Sequence, residues 1–280
     1  MDRDAGLRAA ADNVVGAFDL LGRHYGDPRR GRRRFGTVEA LATGHDVPFF
    51  NPVVAFLPDA NATDVLAGLE WIEGLGLAGS VHLATDADPS VTAALVAGGL
   101  ALEPEGATVM TLDLTGGGGA GRAVDSLTSV GDRSTVRAGG AELAEAGWSA
   151  MEGTDRFRQT FTAALIGDPA VRVAVADLDG EPVAGAMAIR TGDILGVYVV
   201  YTQERARRRG LGRAATAAVI RAGAAAWGST IATLESTAMG QSVYRSIGFR
   251  AVGSVVVYTR PRATGISPPG ADPASPAATR

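Results

Sequence analysis

The chain of 280 residues carries a net charge of −4 and 46% hydrophobic residues, which is enough for two ordinary domains with apolar cores. It has no cysteine and no lysine, which excludes disulfides, thiolate nucleophiles, cysteine metal sites and lysine-based chemistry. The three histidines, His24, His45 and His82, lie in the first third, so residues of the second half cannot form a Ser-His-Asp arrangement. Without a secretory leader pattern or an apolar run of about 18 residues, we expect a soluble, cytoplasmic protein with no membrane partner.

The first 114 residues alternate between helical and extended hydrophobic patterns. Predicted helices cover residues 7–24, 62–75 and 90–98, and predicted strands cover residues 35–43, 51–57, 80–84 and 108–114. Four consecutive glycines follow between Thr115 and Gly121, and their backbone entropy is too unfavourable for a helix or strand interior. We therefore predict a domain of residues 1–114 and a flexible linker of residues 115–122.

A second domain is predicted over residues 123–260, followed by a disordered tail at 261–280 that is rich in Pro, Ala, Ser and Gly. Its predicted helices cover 135–146, 153–166, 211–227 and 240–247, and its strands cover 171–177, 183–191, 194–202, 230–235 and 250–258. The first three strands are joined by turns and form a meander. The pattern indicates an α/β (α+β) fold, a mixed central sheet flanked by helices. A strand–helix–strand pattern at 81–112 and again at 231–259 favours duplication.

Arginines and glycines are concentrated where the strand at 194–202 gives way to the helix at 211–227. The glycines are Gly210 and Gly212, and the arginines are Arg207, Arg208, Arg209 and Arg213. A helix N-terminus has unpaired amides and a partial positive charge, and glycines let the backbone approach a ligand. Arginine adds charge that pairs with phosphate oxygens. The stretch thus predicts a site for an anion such as a diphosphate. The alternative is a simple helix-starting turn with solvated arginines.

Three features of this half together resemble the GNAT acyl-CoA N-acyltransferases. Arg207–Gly212 fits the family signature Arg/Gln-x-x-Gly-x-Gly/Ala, Gly196–Tyr201 stands where the family has its splayed fourth strand, and Ser242–Phe249 resembles its Tyr-x-x-x-Gly-Phe segment. The similarity runs from about residue 171 to residue 258. It implies two tandem GNAT-like domains, of which the one at 123–260 is catalytic, with acetyl-CoA as co-substrate and no metal.

The resemblance also implies roles for individual residues. The amides between Arg208 and Ala214 hold the CoA diphosphate, and the amide of Val199 or Val200 polarises the thioester carbonyl. The implied cofactor-binding residues are Val199, Val200, Arg207, Arg208, Arg209, Gly210, Leu211, Gly212, Arg213 and Ala214. Tyr244 protonates the departing thiolate. The acceptor pocket forms from about residues 133–166 and loops of the first half.

The residue types agree with this chemistry without reference to the family. Attack of an amine on a thioester develops negative charge on the carbonyl oxygen, which a fixed backbone donor stabilises. A tyrosine hydroxyl within hydrogen-bond reach can protonate the leaving thiolate, although Tyr244 could also be an ordinary half-buried helix residue. Glu235, at the end of the preceding strand, is the candidate general base. Glu152 and Asp155 could line the acceptor side, and a bound water could act as base instead.

The first half lacks the corresponding binding features. Leu57–Asp64 precedes the helix at 62–75 without glycine or arginine, and Asn61 or Thr63 is expected to cap that helix with its own side chain. Leu95 falls where the tyrosine would stand. We expect a degenerate GNAT-like half that does not bind CoA in the usual way and has a structural role, packing against the active half and forming a wall of the acceptor cleft.

A second arginine cluster, Arg29–Arg34, is interpreted as a solvated loop, with contacts to nucleic acid or to the CoA 3′-phosphate as alternatives. The leading hypothesis is an acetyl-CoA-dependent N-acetyltransferase that modifies a primary amine of a small molecule or peptide by direct attack in a ternary complex, with no nucleic-acid partner. The alternative is a non-catalytic acyl-CoA-binding regulatory or partner-binding protein.

Overall fold

The computed structural model of the chain describes residues 2–115, 130, 133–151 and 155–261. Most of the predicted linker, nearly all of the predicted tail, Glu152 and the side chain of Asp155 lie outside this description.

The elements of the first half follow its hydrophobic pattern closely. They are α1 (Arg3–Tyr25), β1 (Gly31–Phe35), β2 (Val38–Ala42), β3 (Pro52–Ala55), α2 (Ala62–Gly74), β4 (Ser80–Ala84), α3 (Pro89–Ala97), β5 (Ala101–Leu102) and β6 (Ala107–Asp113). The single strand predicted at 35–43 is instead the second part of a hairpin, because Gly36 takes a left-handed conformation with φ 51° and turns the chain. The Arg29–Arg34 cluster therefore lies largely on the edge strand β1, which corrects its interpretation as a loop.

The second half contains one element of a type that the sequence did not predict. Its elements are β7 (Ser134–Gly139), α4 (Ala144–Ala150), α5 (Asp155–Thr160), α6 (Ala163–Ile166), β8 (Val171–Leu178), β9 (Glu181–Thr191), β10 (Ile194–Thr202), α7 (Leu211–Trp227), β11 (Ile231–Ser236), α8 (Gln241–Ile247) and β12 (Arg250–Thr259). The helix predicted at 135–146 is wrong over β7. There, Thr135 and Arg137 reach across to the buried Asp177 of β8, and this pairing with a neighbouring strand overrides local helix propensity.

The twelve strands within the described residues belong to one mixed sheet. The order is β1-β2-β3-β4-β12-β6-β11-β10-β9-β8-β7, with β5 paired to β12 outside this path. Only two neighbouring pairs in the described sheet are parallel, β3 with β4 and β10 with β11. Each parallel pair is connected by a helix, α2 or α7, as a crossover connection requires. The expected mixed sheet flanked by helices is confirmed.

The last strand of each half is inserted into the other half. Strand β6 lies between β11 and β12, and β12 lies between β4 and β6. Ladders of antiparallel hydrogen-bonded pairs therefore join β6 to β11 and β12 to β4. The two halves share one continuous sheet through this exchange.

Helices α1 and α7 both pack against the sheet, and each contributes to a different hydrophobic core. The apolar residues of α7, which are largely alanine, pack with β9, β10 and β11 in one cluster. Helix α1 contacts strands of both halves, including β2, β9, β10 and β12. Its Gly16 lies so close to Thr191 that a Cβ would come within 2.2 Å of the threonine Oγ1. This approach lets the first helix lie directly on the strands of the second half.

Two residues of the first half that the sequence analysis singled out can be located in the structure. The Asn61 side chain accepts a hydrogen bond from the Asp64 amide at 3.0 Å and so caps α2 itself. Leu95, at the position expected for the tyrosine, is fully buried in the core of this half. The cap on α2 is the one expected from the sequence.

Candidate active site

The site begins where β10 and β11 separate. The two strands pair only at Ile194–Gly196, opposite Ile231–Thr233. Beyond these positions β10 continues along β9 and β11 continues along β6. The sheet therefore opens between β10 and β11, and this opening exposes strand edges to a ligand.

A β-bulge lies on β10 beside the opening. The register between β10 and β9 passes from Tyr198 opposite Met187 to Tyr201 opposite Gly185, so Val199 and Val200 are skipped. Val199 has φ 53°, a left-handed conformation that is unusual for a β-branched residue and carries backbone strain. The bulge frees this stretch from regular pairing at the two residues proposed from sequence to face the thioester.

The backbone turns sharply from β10 into α7. Arg208 and Gly210 are both left-handed, with φ 63° and 79°. Gly210 is the N-cap of α7 and no side chain caps the helix, so its first amides have no intrahelical or capping partner. A Cβ on Gly212 would lie 2.6 Å from Thr202 Oγ1, so only glycine fits this close contact between helix and strand.

The arginines around this turn are not compensated by acids. Among the residues that the structure describes, Arg207, Arg208, Arg209 and Arg213 form no ion pair. Arg207 Nε instead donates to the Thr202 carbonyl oxygen at 3.3 Å. Arg213 Nε is buried without a hydrogen-bond partner within the described chain. Positive charge and the α7 dipole therefore act on the same place.

The other arginine cluster has the opposite character. Arg29 forms a bidentate ion pair with Asp27. Arg32 pairs with Glu39 at 3.0 Å, and the Arg33 guanidinium lies over the Phe35 ring. These arginines are largely balanced by local partners, which accounts for them without a ligand. The two clusters thus differ in whether acidic residues neutralise their arginines. The arginines at the start of α7 are not neutralised by acids within the described residues and can bind an anion.

A coenzyme A diphosphate fits the α7 turn on three counts. Uncapped amides supply donors, the glycines leave room for close backbone approach, and the buried Arg213 Nε lacks a partner. The residues that would hold this group lie between Arg207 and Ala214.

Tyr244 lies on α8, half-buried beside the core of the second half. Its ring packs against Phe249 at 6.1 Å, and a Cβ on Gly240 would lie 2.9 Å from its Cε2 atom. Its hydroxyl makes no hydrogen bond to the part of the chain that is described. Burial raises the pKa of the Tyr244 phenol to about 12, so it stays protonated at any physiological pH.

Glu235 is the next-to-last residue of β11 and lies opposite Val109 of β6. Glu235 is exposed, yet desolvation by the surrounding protein raises the pKa of its carboxyl to about 7. At neutral pH this group can both accept and release a proton.

Two residues of the site were missed by the sequence analysis, Asn13 and Tyr198. Tyr198 stands on β10 just before the bulge, and its hydroxyl donates to Asn13 Oδ1 on α1 at 2.5 Å. The Glu235 charge acts on Tyr198 and contributes, after burial, to a raised pKa of the phenol. The available signal was a single asparagine on the apolar face of α1, among Ala10, Val14 and Ala17.

A small apolar cavity of about 20 Å³ lies next to the bulge. Val199 and Tyr201 of β10 form one wall, and Trp148, Met151 and Phe161 form another. The segment that the sequence assigned to the acceptor side, residues 133–166, thus contributes to a cavity beside Val199.

Comparison with known proteins gives matches to both the sequence and the fold. Residues 141–260 match the sequence profile of the acetyltransferase (GNAT) domain. A GCN5-related N-acetyltransferase from Kribbella flavida superposes with a TM-score of 0.65 at 21% identity, over 90% of this chain and 96% of that one. A tandem GNAT protein from the clavulanic acid biosynthesis pathway gives a TM-score of 0.57 at 13% identity, over 92% and 96% of the two chains. A search among curated proteins gave no match.

The profile match is to an acetyltransferase domain, and the structural matches are to proteins of the GNAT fold. Residues 141–260 are similar to the GNAT acetyltransferase domain, and the chain as a whole has the fold of tandem GNAT proteins. Within the described ranges, no helix is long and apolar enough to span a bilayer. The same residues contain no group of three or more His, Asp or Glu side chains placed to hold a metal ion.

Proposed function

We propose that the protein is an acetyl-CoA-dependent N-acetyltransferase that acetylates a primary amine of a small molecule or peptide by direct attack in a ternary complex. The observation that carries this proposal is the continuous path from the bulged, separated end of β10 into the uncapped, arginine-flanked start of α7. A thioester, when bound, supplies the activated acyl group.

The α7 turn binds the diphosphate of the co-substrate. The amides from Arg208 to Ala214 donate to its oxygens, and Arg207, Arg209 and Arg213 add charge. Uncompensated arginine and a helix N-terminus act together here, since both favour the same anion. Binding at this point directs the rest of the molecule along the open edge of β10.

The bulge on β10 supplies the electrophilic contact. The amide of Val199 or Val200 donates to the thioester carbonyl oxygen and stabilises the negative charge that develops there. Because a bulge fixes this donor in advance, no reorganisation is needed when the charge appears. The strain at Val199 has a function in this proposal, since it re-aims the amide out of the sheet.

Glu235 acts as general base and Tyr244 as general acid. The raised pKa of Glu235, about 7, suits removal of a proton from an ammonium or attacking amine. The raised pKa of Tyr244, about 12, keeps its proton available until the leaving thiolate takes it. The two groups lie on β11 and on the helix that follows it, so one connection positions both.

The experiment is release of the CoA thiol from acetyl-CoA in the presence of a panel of small primary amines and peptides, with mass spectrometry of the products. We expect acetylated amine and CoA in equal amounts. Binding of acetyl-CoA without transfer to any acceptor, unchanged in Tyr244→Phe, would support a non-catalytic binding protein instead. Absence of acetyl-CoA binding would contradict both.

A further inference from the structure

Helix α1 of the first half places a buried asparagine at the opening of the second half. Asn13 is fully buried, and its Nδ2 donates to the carbonyl oxygens of Ile189 at 3.1 Å and Ile194 at 3.5 Å. Since both partners are backbone acceptors, the amide nitrogen must face them and Oδ1 must face the other way. The orientation of this side chain is therefore fixed by the ends of β9 and β10.

The fixed amide determines what Tyr198 can do. Asn13 Oδ1 is an acceptor only, and it receives the Tyr198 hydroxyl hydrogen at 2.5 Å. A phenol has one hydrogen, so Tyr198 has no further donor to offer. What remains on its oxygen is the capacity to accept a hydrogen bond from a ligand.

The packing around this contact leaves little freedom. A Cβ on Gly196 would lie 1.7 Å from Asn13 Oδ1 and 2.6 Å from Tyr198 Cε2, so only glycine is compatible with it. Glycine at this position brings the helix, the ring and the strand into direct contact. The hydrogen bond between Asn13 and Tyr198 is thus held in place by backbone on both sides.

Tyr198 and Glu235 occupy equivalent places on the two separating strands. Gly196 and Thr233 are the last paired residues of β10 and β11, and Tyr198 and Glu235 each stand two residues further on. Residues two apart on a strand share a face, so both side chains lie on the α1 side of the sheet. Glu235 also acts electrostatically on the phenol.

We propose that the Tyr198 oxygen and the Glu235 carboxylate together bind the nitrogen of the acceptor amine, and that Asn13 is a positioning residue that keeps Tyr198 acceptor-only. This inference rests on the proposed function and adds the residues that select its acceptor. An ammonium has three N–H donors and satisfies both oxygens at once, whereas an alcohol has a single donor. The site therefore favours primary amines over alcohols, and the first half supplies one of its parts.

The experiment uses the full chain, acetyl-CoA and primary n-alkylamines from methylamine to hexylamine, with the alcohols of equal length as competitors. Tyr198→Phe keeps the ring and removes the accepting oxygen. We expect it to raise the KM for the amines by about 10- to 100-fold, the range for a lost hydrogen bond to a charged group, with an unchanged Kd for acetyl-CoA. Tyr258→Phe, a buried tyrosine of the other core, is the matched control and leaves both values unchanged.

The role of Asn13 is tested by combining substitutions. If Asn13 acts through Tyr198, Asn13→Ala raises the amine KM in the wild-type background and has no further effect in the Tyr198→Phe background. An equal effect of Asn13→Ala in both backgrounds would overturn its positioning role. A wild-type KM in active Tyr198→Phe, or bound acetyl-CoA with no transfer to any alkylamine, would overturn the amine site. Failure of the wild type to bind acetyl-CoA would instead overturn the proposed function.

Discussion

Val109 of the first half is the antiparallel partner of Glu235 of the second half. The candidate base therefore stands on β11, and the neighbouring strand β6 on one side of β11 comes from the other half of the chain. Through the exchange, the first half supplies β6 to the strands of the second half, and the second half supplies β12 to the strands of the first.

We predict that residues 123–260 do not fold alone. Without β6, the strands β11 and β12 lose their common neighbour, and their unpaired edges favour aggregation. Size-exclusion chromatography and circular dichroism of this fragment should show aggregation or an unfolded chain, and addition of the fragment 1–115 should restore a folded complex. A monomeric fragment 123–260 that unfolds cooperatively would contradict the requirement for exchange.

The activity should depend on pH through Glu235. Its folded-state pKa of about 7 predicts that kcat/KM for the amine rises as the carboxyl loses its proton, with an inflection near pH 7. Glu235→Gln has no such proton to lose, so the inflection should disappear along with most of the rate. Profiles measured with wild type and variant test this, and an inflection retained in Glu235→Gln would assign it to another group.

The same carboxyl should reduce stability at neutral pH. Its pKa is raised from 4.5 in the unfolded chain to about 7 in the folded protein, so between these values the folded protein holds a proton that the unfolded chain has released. The contribution of Glu235 to stability therefore falls as the pH rises from about 4.5 to about 7. We expect Glu235→Gln to have a higher Tm than wild type at pH 8 and a nearly equal Tm at pH 4.5. A variant that is less stable than wild type at pH 8 would contradict this.

Tyr244→Phe should separate binding from chemistry. The substitution keeps the ring beside Phe249 and removes only the hydroxyl, so the Kd for acetyl-CoA should not change. Loss of general-acid assistance predicts a fall in kcat of about 10²- to 10⁴-fold. Steady-state kinetics and calorimetry on the same preparations measure both values. A kcat equal to that of wild type would remove Tyr244 from the chemistry.

Local patterns were sufficient to predict most elements and the glycine-rich turn before α7. The helix at 211–227 and the glycines before it follow from hydrophobic spacing and backbone freedom, which are properties of neighbouring residues. The strand β7 was mistaken for a helix because its stability comes from pairing with β8, about 40 residues away. There, the side chains of Thr135 and Arg137 donate hydrogen bonds to the Asp177 carboxylate.

The strand exchange and the contribution of α1 could not be predicted for a related reason. The contact between Asn13 and Tyr198 joins residues 185 positions apart, and no local pattern records which asparagine meets which tyrosine. The polar residue on the apolar face of α1 was visible in the sequence, but its partners were not.

The most direct test of the account compares the two left-handed glycines at the two ends of α7. Gly210 begins the helix and Gly228 ends it, with φ of 79° and 64°, and a Cβ would meet nothing closer than 3.7 Å at either position. Gly210→Ala and Gly228→Ala should therefore lower Tm by similar amounts, because each alanine bears a similar cost, roughly 1 kcal/mol, in the left-handed conformation.

Calorimetric titration with acetyl-CoA should distinguish the two variants. We predict that Gly210→Ala weakens binding by about tenfold or more, since it displaces the amides at the helix start, whereas Gly228→Ala binds like wild type. Equal affinities in the two variants would contradict the claim that the start of α7 binds the diphosphate.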